Sequence, residues 1–66
     1  MKQLTLVSPG NYQIATIKEV RAISGLGLKE SVDLVRGPMP QKIPVANYSK
    51  KRALELLRSV GAKVSP

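Results

Sequence analysis

The spacing of apolar and polar residues divides the chain into six short elements. Residues 3–7 are rich in Leu, Thr and Val and run into Ser8-Pro9-Gly10-Asn11, which predicts a strand followed by a turn. A second strand is predicted over residues 41–46, and because Pro44 lacks an N–H it belongs at a sheet edge or at an irregular point of the strand. Residues 62–64 predict a last short strand.

Between these strands, apolar side chains recur at the three- and four-residue intervals typical of amphipathic helices. Asn11 and Ser49 are the predicted N-caps of two helices, and Gly25 suits the left-handed conformation that ends the first. The predicted helices cover residues 11–24, 28–36 and 49–60.

Each predicted helix has one side that is suited to burial. In the first helix, Ile14, Lys18 and Arg21 lie away from that side, and Ile17 lies on its border. Tyr12 and Tyr48 are expected to pack at the starts of elements. The helical residues expected to be buried are Thr16, Val20, Leu28, Val32, Val35, Leu54 and Leu57, against Leu4, Leu6, Ile43 and Val45 of the strands.

The order strand, helix, helix, strand, helix, strand predicts an α+β sandwich. We expect one domain over residues 1–66, in which a three-stranded, mostly antiparallel sheet is covered on one face by three helices. The core should be small and aliphatic, because the chain has no Phe and no Trp.

Composition also limits the chemistry. With no Cys and no His, the chain has no thiol nucleophile, no imidazole base and none of the usual zinc ligands. Its four carboxylates, on Glu19, Glu30, Asp33 and Glu55, lie among Lys and Arg in predicted helices, which is typical of solvated surface charge. We therefore predict a binding module, with no catalytic residue, metal or cofactor. The chain shows no signal peptide or membrane span, so a cytoplasmic location without membrane partners is expected.

Charge favours an anionic partner. The net charge is +7, and the excess lies in the C-terminal third, where six cations accompany one acid between residues 42 and 63. These cations predict either a patch for RNA, DNA or an acidic protein, or a solvated face. The candidate patch consists of Lys42, Lys50, Lys51, Arg52 and Arg58.

Five runs carry a family resemblance: Ile17-Lys18-Glu19-Val20-Arg21, Gly25-Leu26-Gly27-Leu28-Lys29-Glu30, Asp33-Leu34-Val35, Ser49-Lys50 and residues 54–64. Together they resemble the C-terminal domain of the bacterial large-subunit ribosomal stalk protein. The resemblance covers nearly the whole chain and implies the same fold. It also implies a non-catalytic domain whose first two helices bind GTPase translation factors, including elongation factors Tu and G.

The same resemblance assigns residues to the factor-binding surface. They are Ile14, Ile17, Lys18 and Arg21 of the first helix, and Gly25, Leu26, Gly27, Lys29 and Glu30 of the turn and second helix.

The chain also departs from the family. Position 32, usually basic in the family, is Val32, and Lys50-Lys51-Arg52 stand where acids are common after the first Lys. The family as a whole is acidic. Because Met1 leads almost directly into the first strand, we expect the N-terminal dimerisation domain and hinge of the stalk protein to be absent.

Two hypotheses about function follow. In the first, the chain binds translation factors and supplements or competes with the stalk, as a phage or mobile-element product would. In the second, the fold is reused as a basic scaffold for nucleic acid or for an acidic protein of the transcription or degradation machinery. The third helix is not expected to touch the factor-binding surface. The oligomeric state is left open.

Overall fold

The computed structural model describes residues 2–66 and has the predicted order of elements. The strands and helices are β1 (Gln3–Ser8), α1 (Gln13–Ser24), α2 (Leu28–Arg36), β2 (Gln41–Pro44), α3 (Lys50–Ser59) and β3 (Lys63–Ser65). The predicted α+β class is confirmed.

The three strands form one sheet in the order β2-β1-β3, and β1 is antiparallel to both neighbours. Leu4 pairs with Ile43 on one side, and Leu6 pairs with Val64 on the other. Pro44 ends an edge strand, as predicted, where its missing N–H breaks no ladder between strands.

One face of this sheet carries the core. Leu4 and Leu6 alternate with outward-facing residues of β1, and both are completely buried beneath the helices. The buried apolar side chains are Leu4, Leu6, Ile17, Val20, Ile23, Val35, Ile43, Val45, Ala53, Leu57 and Ala62. The other face is open, with Thr5 partly covered and Val7, Lys42 and Lys63 exposed.

In the helical layer, α1 packs against both α2 and α3, while α3 also packs on β3 and β1. Gly10, before α1, lies so close to the backbone of Gly61, after α3, that a Cβ would collide with the Gly61 carbonyl oxygen. Gly10 also has φ of 77°, which favours glycine. At the other end, Asn47 contacts the last turn of α1. The start of each helix therefore lies near the end of the other, so α1 and α3 run antiparallel.

Two predicted helix caps are confirmed, and one is wrong. Ser49 Oγ accepts a hydrogen bond from Arg52 N at 3.1 Å, and Gly25 ends α1 in the left-handed conformation with φ of 74°. Tyr12, not Asn11, occupies the N-cap of α1, and its side chain makes no capping bond. Instead, the buried Thr16 hydroxyl donates to the Pro9 carbonyl at 2.8 Å, so the preceding turn is fixed from inside the helix.

Burial also differs from the prediction at particular positions. Leu28 is 55% exposed, although it lies on the same side of α2 as buried Val35. Leu28 is the first residue of α2, so its side chain lies at the end of the helix. Neighbouring elements leave more than half of it uncovered there. Val32 and Leu54 are only partly buried. The two tyrosines, Tyr12 and Tyr48, are exposed, which corrects the expectation that they pack.

Leu57→Ala should lower the free energy of unfolding by about 2 to 5 kcal/mol, because it removes a completely buried side chain and leaves a cavity. Leu28→Ala deletes the same atoms at an exposed position and should cost less than about 1 kcal/mol. Urea denaturation of the two variants measures both values. Equal losses would contradict the assignment of Leu57 to the core and Leu28 to the surface.

Ser31→Ala should leave the free energy of unfolding unchanged or raise it by about 1 kcal/mol. Ser31 Oγ is buried and, within residues 2–66, has no hydrogen-bond partner. Replacing the hydroxyl by hydrogen removes a desolvated polar group and leaves only a small space. A clear loss of stability in thermal unfolding would show that this hydroxyl has a partner in solution.

Candidate functional site

Three predicted site residues lie together on the exposed side of α1. Ile14, Lys18 and Arg21 are separated by four and three residues, which places them along one strip of the helix. All three are exposed, and Ile14 is 71% exposed despite its apolar side chain. Val20 and Ile23, on the opposite side of the helix, are completely buried. The core therefore holds α1 with this strip facing solvent.

Ile17 was predicted on the same surface, but it is only 7% exposed and belongs to the core. The helical spacing had placed it on the border between the two sides. The packing of α1 against its neighbours covers Ile17, which therefore offers little area to a partner.

A hydrogen-bonded turn joins α1 to α2. Ser24 Oγ donates to the Val20 carbonyl at 2.6 Å and accepts from Leu26 N at 3.1 Å. Gly25 and Gly27 are exposed on either side of half-buried Leu26. The backbone of the turn is thus held from the buried side, while its two glycines leave the outer side uncovered.

The start of α2 adds charged residues and an apolar one. Lys29 and Glu30 are exposed, and the Glu30 carboxylate lies over Gly27, where a Cβ would come within 2.6 Å of its Oε2 atom. Leu28 lies between Gly27 and Lys29 in the chain and is also exposed. Sequence reasoning missed Leu28 because its spacing fits the buried side of α2.

These residues define a surface that we call the α1–α2 surface. It consists of Ile14, Lys18, Arg21, Gly25, Leu26, Gly27, Leu28, Lys29 and Glu30. Direct packing of α1 against α2 brings the two sets of residues together.

The predicted basic patch is not one surface. Lys42 lies on the open face of the sheet, where its Nζ atom is 3.3 Å from Thr5 Oγ1. Lys50, Lys51, Arg52 and Arg58 lie on α3, which packs on the opposite face and, within residues 2–66, does not contact β2. Lys42 and the cations of α3, which the charge pattern grouped into one patch, therefore lie on opposite faces of the domain.

The first turn of α3 holds three cations and no acid. Positive charge there opposes the helix dipole and costs about 0.3 kcal/mol per exposed side chain. Arg52 NH1 and Glu55 Oε1, 3.5 Å apart, form the one ion pair within residues 2–66. Both side chains are more than half exposed, so this pair contributes little stability.

Asn47 links the start of α3 to the end of α1. Its Nδ2 atom donates to the Ala22 carbonyl at 2.8 Å, and its backbone N–H donates to the Ile23 carbonyl at 3.2 Å. Ala46 N also donates to Ile23 at 2.9 Å. We call these contacts the Asn47 bridge. They bring the segment before α3 against the helix that carries Lys18 and Arg21, which the spacing along the sequence does not predict.

The carboxylates are distributed over the helices. Within the part of the chain that the structure describes, no three acidic side chains form a group that could hold a metal ion. None of the helices in residues 2–66 is both long and apolar enough to cross a membrane.

Comparison with known proteins gives consistent matches. Residues 3–65 match the family model described as the ribosomal protein L7/L12 C-terminal domain. The large ribosomal subunit protein bL12 of Afipia carboxidovorans is 49% identical over 63 residues, which is 94% of this chain and 50% of that protein. The bL12 of Methylorubrum populi is 50% identical over 62 residues, 92% of this chain and 49% of that protein. This chain spans about half the length of these relatives.

Proposed function

The chain belongs to the ribosomal protein L7/L12 C-terminal domain family, and we propose that it binds GTPase translation factors of the elongation factor Tu and G type through the α1–α2 surface. Members of this family are structural ribosomal proteins and not enzymes, which agrees with the predicted binding module. Translation factors act in the cytoplasm, and the proposal implies that this domain works there.

The main support is the exposure of Ile14 at the start of a strip of α1 that continues with Lys18 and Arg21. An apolar side chain that is 71% exposed on a rigid helix gains free energy when a partner covers it. Lys18 and Arg21 follow it one and two turns further along the same strip, and their charges steer an acidic partner toward this side of the helix. Leu28 provides a second exposed apolar contact at the start of α2.

The side chains that would contact a partner are different from those that hold α1 and the turn in place. The exposed strip of α1 is held by Val20 and Ile23 in the core, and the turn is held by the hydroxyl of Ser24. Little of the surface needs to be reorganised when a partner binds, so little conformational entropy is lost. Exchange of the exposed cations should therefore change affinity with little effect on stability.

Shared use of one surface implies competition. If this domain and the C-terminal domain of a stalk protein contact a factor through equivalent helices, both cannot occupy the same site on that factor at once. The chain then competes with the stalk domain for each site, which is the competing form of the first hypothesis. For the nucleic-acid alternative, the structure leaves the four cations of α3 as the candidate contacts and places Lys42 on a different face.

The double variant Lys18→Glu and Arg21→Glu should abolish measurable binding to a purified elongation factor. It places two acids beside Ile14, so an acidic partner is repelled during encounter and after docking. Surface plasmon resonance at physiological salt measures the affinity, and circular dichroism checks that the variant is folded.

The matched control is Lys42→Glu with Lys63→Glu, which makes the same change in net charge on the open face of the sheet. This control should retain affinity within about threefold, since distant exposed charges are largely screened. Unchanged binding by the Lys18 and Arg21 variant, or equal loss in both doubles, would contradict the proposed surface.

A further inference from the structure

We infer that the docking surface continues from α1 across the Asn47 bridge to the start of α3, where Tyr48, Lys50 and Lys51 contact a second acidic area of the same GTPase partner. This inference rests on the proposed function and adds a third element to its interface. We call these three residues the α3 extension.

Hydrogen bonds from Asn47 join the segment before α3 to the end of α1. Asn47 donates to the carbonyls of Ala22 and Ile23, and the side chain of Ala22 is exposed next to Arg21 in sequence. A Cβ on Gly25, itself part of the α1–α2 surface, would lie 3.6 Å from Asn47 Nδ2. The α3 extension begins one residue after Asn47, so no other element separates it from the α1–α2 surface.

The antiparallel course of α1 and α3 decides which cations of α3 belong to this extension. The first turn of α3 follows the Asn47 bridge and lies at the end of α1 that carries Arg21. The last turn, with Arg58, lies at the opposite end, where Gly61 approaches Gly10. Lys50 and Lys51 can therefore share a partner with Arg21, whereas Arg58 is a helix length away.

The charges of the extension have no acidic partner within the domain. Among residues 2–66 the ion pair is made by Arg52 and Glu55, and no carboxylate lies within salt-bridge distance of Lys50 or Lys51. These two lysines stand at a helix N-terminus, where the dipole disfavours them. An acidic surface brought over them would relieve both the local repulsion and the unfavourable dipole contact. Their field has the same sign as that of Lys18 and Arg21, so all four steer the same kind of partner.

Tyr48 adds an exposed aromatic side chain to the two lysines of the α3 extension. It is 41% exposed at the junction between the bridge and α3. Tyrosine is enriched at the centres of protein interfaces, because its ring buries a large area and its hydroxyl accepts or donates a hydrogen bond. Tyr48 precedes half-buried Lys50 and exposed Lys51 by two and three residues. An aromatic residue near cations is suited to a protein surface that presents carboxylates around a shallow apolar area.

The distribution of acids favours a protein over a nucleic acid as occupant. Glu30 lies on the α1–α2 surface, and Glu19 and Asp33 lie on the helices that form it. A continuous phosphate backbone crossing the α1–α2 surface would meet the exposed Glu30 carboxylate. A folded protein can place separate acidic areas against Arg21 and Lys51 and leave the negative side chains facing neutral or basic groups.

The test compares association rates of two double variants with a purified GTPase translation factor in stopped flow. Lys50→Glu with Lys51→Glu should slow association about tenfold at about 50 mM salt, and this difference should shrink as salt is raised. The control, Lys42→Glu with Lys63→Glu, should slow it no more than about twofold, because its charges lie on the open face of the sheet. Tyr48→Ala should mainly speed dissociation.

Stability distinguishes this effect from unfolding. Acids in the first turn of α3 interact favourably with the helix dipole, so Lys50→Glu with Lys51→Glu should keep or raise the melting temperature while it slows association. A lower melting temperature together with weaker binding would overturn the interpretation as a lost contact. Equal slowing in both doubles would show an effect of net charge alone and would also overturn it.

Failure of this inference can be told apart from failure of the proposed function. If the unaltered chain binds the factor and loses binding with Lys18→Glu and Arg21→Glu, but not with changes in the α3 extension, the extension alone is wrong. If the unaltered chain does not bind any factor tested, both fail.

Fluorescence anisotropy with a single-stranded RNA completes the test. A loss of RNA binding with unchanged factor association in the Lys50 and Lys51 variant would assign the extension to RNA and contradict the inference.

Discussion

Burial of Leu4 and Leu6 against a single layer of helices is the constraint on which the rest of the domain depends. Both leucines lie on the central strand, and both are completely covered. Because the helices within residues 2–66 cover one face of the sheet only, each of them turns its apolar side toward that face. The helical period that places apolar residues on the inner side of each helix also determines which residues face solvent on its outer side.

This constraint explains how a small aliphatic core can support a binding surface. In α1, Val20 and Ile23 face the sheet, so Ile14, Lys18 and Arg21 must face solvent. These three residues lie on α1, which packs against both other helices. Rigid support of exposed apolar and cationic side chains reduces the entropy cost of binding, and it leaves the exposed positions free to vary with little effect on the fold.

The order and type of all six elements could be predicted from periodicity and turn residues, because these are local signals. These local signals could not predict which side chains are exposed at the ends of elements. Leu28 has the right spacing for burial but begins its helix beyond the reach of its neighbours, and Ile17 lies on a border that only packing decides. The Asn47 bridge joins residues 25 positions apart in the chain. Charge counting grouped Lys42 with α3, although the sheet separates them.

Most members of the α1–α2 surface came from family resemblance together with the helical period, whereas the structure added Leu28 and removed Ile17. The most direct measurement of the whole account is a titration of the ¹⁵N-labelled domain with an unlabelled GTPase translation factor, followed by amide chemical shifts. The account predicts changes along the exposed strip of α1, through residues 25–30 and through residues 47–51. Changes confined to the open face of the sheet, around Thr5, Lys42 and Lys63, would contradict it.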